Sequence, residues 1–167
     1  MSAWQREELS RRSKKGIGMI SSRSGAGALA LALAALPAFA QQPSAGRIKV
    51  ASGAVFIVRA GGLVQAQAGQ DVFEADSFRT GADGRLGITM NDDTRVSLGP
   101  SSEVRLDRFA YAPADGRFGF VLRVVRGVVA YVSGRIAKLS PDSIRLETPA
   151  AVVGVRGTAL AIRVTPE

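Results

Sequence analysis

The sequence predicts a single all-β domain of many short antiparallel strands, arranged as a β-sandwich, a jelly roll or a β-roll. Three observations lead there. Apolar and polar residues alternate with a period of two through much of residues 48–164, the signature of half-buried strands. Turn-forming clusters interrupt the alternation: "GADG" at 81–84, "NDD" at 91–93 and "GPSS" at 99–102. Arg85, Arg95 and Arg105 mark successive runs ten residues apart, a spacing that suits sandwiches and barrels.

The strands are not expected to begin at the N-terminus. Residues 25–40, "GAGALALALAALPAFA", form an apolar block that follows basic residues and closes on Ala38-Phe39-Ala40. A basic n-region, a short apolar stretch and an A-x-A site describe a secretory signal peptide cut after Ala40. The block is too short and too rich in alanine to span a membrane comfortably, so no stable span is expected after cleavage. "SRRSKK" at 10–15 has the arginine pair of a twin-arginine signal. It lacks the bulky apolar residue expected next, which favours the general secretory route, and Met19 offers an alternative start. Residues 41–47 then read as a polar lead-in and 48–167 as the β domain.

Removing the leader changes the charge argument. The chain carries +8, but residues 1–40 hold six basic and two acidic residues, leaving 16 basic against 12 acidic and a net +4. Those basic residues are scattered and the domain is exported, so nucleic acid is not an expected partner. There is no cysteine and no histidine. Disulfides, thiol chemistry, zinc sites and Ser-His or Cys-His nucleophiles are therefore excluded, and no cofactor is expected.

Along the mature chain, "RIKVASGAVFIVRAGG" is rich in β-branched residues and ends on a glycine pair. Leu86, Ile88 and Met90 then share one face, as do Val96 with Leu98 and Val104 with Leu106. In 117–127, Phe118, Phe120, Leu122 and Val124 oppose Arg117 and Arg123; "GVVAYVSGRIAKL" and "SIRLETP" supply further strands. The last strand, 158–164, alternates through Leu160, Ile162 and Val164.

Carboxylates are the only acid–base candidates left. Asp71, Glu74, Asp76 and Asp83 cluster in one stretch and could in principle flank a glycosidic bond. The simpler reading has Asp71 and Asp76 leading strands and Asp83-Gly84 forming a turn; replacing Asp71 and Asp76 by asparagine is then expected to leave activity intact. Asn91, Asp92 and Asp93 lack the spaced oxygen ligands of a calcium loop and read as a hairpin tip. Arg85, Arg95, Arg105 and Arg123 could form one sugar- or phosphate-binding face. Equally, they could be a solvated sheet face crossing to carboxylates on neighbouring strands. Tyr111, Phe118 and Tyr131 are the aromatics available for sugar stacking.

Near the end, "TPAAVVGVRGT" places Thr148, Pro149, Gly154, Arg156, Gly157 and Thr158 around a corner. Pro149 sets an extended or turn entry. Gly154 and Gly157 permit close approach or positive φ. Arg156 is expected to tie the corner, with Glu147 or nearby carbonyls as its partner.

With "GAVFIVRAGG" and "AGQDVFEADSFRTGADGRLGITMNDDTRVSLGPSSEVRLDRF", this motif resembles the FecR-type domain from about Val50 to Val164. The resemblance implies an exported binding, sensory or scaffolding module without known catalysis. The family's best-known members are membrane-spanning regulators of sigma factors in iron-siderophore signalling. A cleavable leader and no cytoplasmic segment are expected here, so that role is not carried over. One turn departs from the family's "dG[ST]" pattern: it reads Asp92-Asp93-Thr94, without the glycine. The expected function is non-enzymatic, in the periplasm or outside the cell, through an unknown protein partner or an envelope polymer. A carbohydrate- or peptidoglycan-binding module is the alternative, and a carboxylate hydrolase the more distant one.

Overall fold

Leu86, Ile88 and Met90 turn inward while Arg85 stays in solvent, and the same alternation recurs in Arg95–Leu98 and Ile144–Glu147. The computed structural model describes residues 42–155 and 159–165. Its strands are β1 (Gly46–Ser52), β2 (Val55–Arg59), β3 (Gly62–Gln65), β4 (Asp71–Val72), β5 (Ser77–Thr80) and β6 (Arg85–Met90). They continue with β7 (Arg95–Leu98), β8 (Glu103–Ala112), β9 (Arg117–Val132), β10 (Ile144–Glu147), β11 (Val152–Gly154) and β12 (Ala159–Val164). One short helix, α1 (Ile136–Leu139), follows β9. The all-β class is as expected.

The strands form one sheet in the order β3-β2-β5-β8-β9-β7-β6-β1-β4, with β10 and β12 also paired to β9. Strand β9 divides it. Its first part pairs with β8 and β10, and its last part with β7 and β12. We call the β12-β9-β7-β6-β1-β4 part sheet A and the β3-β2-β5-β8-β9-β10-β11 part sheet B. One apolar core draws on both, through Ile48, Leu86, Ile88, Val96 and Tyr131 of sheet A and Ile57, Phe78, Leu106, Phe120 and Leu146 of sheet B.

Three features differ from the sequence reading. The stretches 117–127 and "GVVAYV" are one 16-residue strand. Phe120, Leu122 and Val124 are buried before Gly127, and Val129 and Tyr131 after it, so the inward phase shifts by one residue. The register shift in the ladder to β8 between Glu103 and Val104 marks a β-bulge there, and bulges re-aim side chains in this way. Gly127 has φ +91, and a Cβ there would come within 2.2 Å of the Ser102 hydroxyl oxygen. Second, β10 runs parallel to β9 and so breaks the otherwise antiparallel pattern. Third, the sheet starts at Gly46, inside the polar lead-in. Ala45 is already buried, its N–H bonded to the Val72 carbonyl.

The glycine missing from the family's turn has a local cost. Asp93 adopts φ +68 in the link between β6 and β7, a left-handed conformation that strains a residue bearing Cβ. Its ion pair with Arg135, at 2.9 Å, is exposed on both sides and contributes little. Asp93→Gly is therefore expected to raise stability by about 0.5 kcal/mol, net of glycine's unfolded-state entropy. Urea denaturation would read this as a higher midpoint at unchanged slope.

Candidate functional site

The acidic stretch is the first place to look for chemistry, and each of its carboxylates is held by the fold. Asp76 is 1% exposed. It accepts two parallel bonds from Arg59, Nε to Oδ1 at 2.8 Å and Nη2 to Oδ2 at 2.7 Å, and a third from the Phe73 N–H at 2.8 Å. Such a fork fixes geometry as well as charge. Arg59 also donates to the Asp71 carbonyl and lies 4.4 Å over the Phe73 ring. The Asp76 hydrogen bond holds the Arg59 guanidinium above its ordinary pKa, against the opposing effect of burial. Asp71 pairs with Arg47 at 3.1 Å in solvent. Glu74 accepts the Phe109 N–H and Asp83 the Ala54 N–H. These groups pin strands and turns together.

Asp92 behaves similarly. It sits in a hairpin link, as expected, yet is fully buried. Its carboxylate accepts from the Thr94 N–H and hydroxyl and from the Ile136 N–H, which opens α1, while its carbonyl accepts from the Arg135 N–H. A calcium-like role is replaced by a knot between the β6–β7 link and α1. Neither Asp76's partner nor Asp92's carried a sequence signal. Arg59 and Asp76 lie 17 residues apart, and Asp92 and Ile136 lie 44 apart.

The four candidate arginines separate. Arg105 and Arg123 are register neighbours on the outer face of sheet B. There, Asp107 pairs with both at 2.8 and 2.9 Å, and Arg123 also reaches Glu147 at 3.0 Å. Glu103 similarly joins Arg79 and Arg126. This is the ladder of crossing charges expected for a solvated face. Arg85 and Arg95 lie instead on the outer face of sheet A and form no ion pair with a described residue.

The terminal motif is a hairpin link. The Thr148 N–H donates to the Ala151 carbonyl and its hydroxyl accepts the Ala151 N–H, with Pro149 at the turn between β10 and β11. Gly154 pairs with Arg145, and a Cβ there would meet nothing within 4 Å, so the expected close approach does not occur at this glycine. Arg156, Gly157 and Thr158 lie outside the described residues. Glu147, the carboxylate considered for Arg156, is held by Arg123.

The aromatics do not form a sugar platform. Tyr131 is 1% exposed, its ring 5.6 Å from that of Phe120, and half-buried Tyr111 and Phe118 meet at a tilt of 50°, ring centroids 6.3 Å apart, beside the core. Burial raises the Tyr131 phenol above its ordinary pKa. Its un-ionised form therefore stabilises the fold fully below the unfolded value near pH ~10, and that contribution is lost as pH rises through the folded value. Tyr131→Phe should reduce the loss of stability between about pH 8 and pH 11, measured as urea midpoints.

The described residues thus define an all-β module whose carboxylates serve its own architecture. The chain belongs to the FecR protein family: the family's model matches residues 76–167, which places the chain among sensory and signalling modules. The match begins at Asp76, yet β1 pairs along its whole length with β6, so the folded unit extends ahead of it. No curated protein and no solved structure matched the chain. No helix among the described residues is long and apolar enough to cross a membrane.

Proposed function

We propose that this chain is an exported, non-enzymatic sensory or scaffolding module of the cell envelope, acting through contacts between its sheet surface and a partner protein. The observation that carries this reading is the engagement of Asp71, Glu74, Asp76 and Asp83 in strand and turn contacts. A hydrolase would need two of them free to face a substrate. Near the start of the described residues, the Ser44 and Ala45 carbonyls accept bonds from Asn91 and the Ala45 N–H donates to the Val72 carbonyl. Cleavage after Ala40 would leave these ties intact, which supports a mature, folded product in the periplasm or outside the cell. The buried Tyr131 argues against the carbohydrate-binding alternative.

The test is expression of the full chain in a bacterial host, with fractionation, N-terminal sequencing and cross-linking in the envelope. The expected product starts at Gln41 and cross-links to a protein. The triple variant Asp71→Asn, Glu74→Gln, Asp83→Asn should cross-link equally well. A folded triple variant that lost a measurable hydrolytic activity of the parent would contradict the proposal.

A further inference from the structure

The two outer faces of the sheet differ in charge and in texture. On sheet B every crossing carboxylate is matched to arginines, as described above. On sheet A the register aligns Ala161, Ala130, Ser97, Gly87 and Val50 in one row across five strands, about 19 Å at the usual strand spacing. On one side runs a row holding Arg163, Val128, Gly99 and Arg85, and on the other a row holding Val132, Arg95, Thr89 and Arg47. Among the described residues, the carboxylate that stands in these rows is Asp71, which extends the second row beyond Arg47 onto β4. Arg47 is paired with Asp71 of β4, whereas Arg85, Arg95 and Arg163 have no ion pair with a described residue.

Between the arginines the surface is hollow and apolar. Val50, Gly87, Ser97, Gly99, Val128 and Ala130 line much of a shallow trough of about 390 Å³, with Arg85 at its rim. Val50, where β1 has β6 but not β4 beside it, closes the row and is 55% exposed. An apolar floor with Arg85 among its lining residues and Arg163 and Arg95 in the flanking rows, none of the three ion-paired with a described residue, suits a ligand with carboxylates set beside a small apolar group.

We propose that this face is the docking surface for an extended acidic segment of a partner protein; the inference rests on the protein-interaction reading above. Arg163 and Arg85 share a row three strands apart, about 14 Å. In an extended peptide, side chains at i and i+4 point the same way and are separated by about the same distance. Glutamates at those positions would meet Arg163 and Arg85, while a small apolar residue at i+2 enters the trough and Arg95 flanks the other side. Other occupants fit less well. Residues 1–40 carry six basic against two acidic residues and would be repelled, as would the same face of a second copy. Polyphosphate gains nothing from an apolar floor, and no aromatic stands in these rows to stack on a sugar.

The chain has no cysteine, so a single photo-crosslinker can be placed at will. Ser97→Cys puts it on the trough floor, and Arg105→Cys puts it on the outer face of sheet B. The probe is a peptide containing Glu-Ser-Val-Ser-Glu, compared with one of equal composition whose glutamates are adjacent, and with polyphosphate. The full chain should label the spaced peptide at least about five-fold more from Ser97→Cys than from Arg105→Cys. Arg85→Gln with Arg163→Gln should lower that labelling about ten-fold, as loss of two charge-assisted contacts implies, and Arg105→Gln with Arg123→Gln should leave it within about two-fold. Equal labelling from both cysteines, or equal labelling by all three probes, would overturn the proposal. In envelope extract, capture of a protein through Arg105→Cys alone would overturn this surface and leave the interaction reading standing. Retention on envelope polymer with no protein captured through either would overturn both.

Discussion

Gly127→Ala is expected to destabilise the domain by about 3 kcal/mol, from left-handed strain together with overpacking. The residue has φ +91, and a methyl group there would meet the Ser102 hydroxyl, Cα and Cβ at 2.2, 2.4 and 2.6 Å. Ser102 has no room to retreat. It is buried, its hydroxyl accepts the Val128 N–H, and its own N–H donates to the buried Thr80 hydroxyl. The position is also where β9 passes from sheet B to sheet A and its inward face changes phase. Movement there would shift Val129 and Tyr131 out of the core. Gly154→Ala is the control: no positive φ and no neighbour within 4 Å, so a change within about 0.5 kcal/mol is expected. Urea denaturation of the two variants, followed by tryptophan-independent far-UV circular dichroism, gives the comparison.

Asp76→Ala is expected to cost about 3 kcal/mol, the range found when one partner of a buried ion pair is removed. The loss falls toward the lower end because the Arg59 side chain is 38% exposed and can be rehydrated. The Phe73 N–H would lose its acceptor as well. Adding Arg59→Met to Asp76→Ala should cost less than the sum of the single changes, with a coupling of about 1–3 kcal/mol. Additive losses would mean that the fork at 2.7 and 2.8 Å does not hold β2 to the start of β5. The expectation that asparagine at 71 and 76 leaves activity intact concerns function; for stability the two positions differ. Asp71 faces solvent, but Asp76 is part of the core's polar framework.

The architecture was legible because period-two burial is a local property. Leu86, Ile88 and Met90 announce their face without knowledge of any other strand. What was not legible is set by pairing over distance. The continuity of β9 depends on a bulge opposite Glu103, and the parallel course of β10 depends on the α1 excursion that returns the chain to Phe120. The arginine spacing of ten residues suggested one face. Sheet closure instead put Arg105 and Arg123 among carboxylates and left Arg85 and Arg95 across from Arg163, whose place in the last strand drew no notice. Asp76 read as the lead into a strand and Asp92 as part of a hairpin tip; their burial comes from partners 17 and 44 residues away. In the terminal motif, an extended or a turn entry was open at Thr148-Pro149 and the chain turns there, while Gly154 is unconstrained.

The central claim is that this FecR-family chain works by presenting a sheet face and not by chemistry at its carboxylates. Backbone hydrogen exchange of the full chain, with and without the envelope protein it cross-links to, tests that most directly. Slowed exchange confined to residues 85–99, 128–132 and 159–164 is the predicted result. Slowed exchange centred on residues 71–83, with sheet A unchanged, would contradict it.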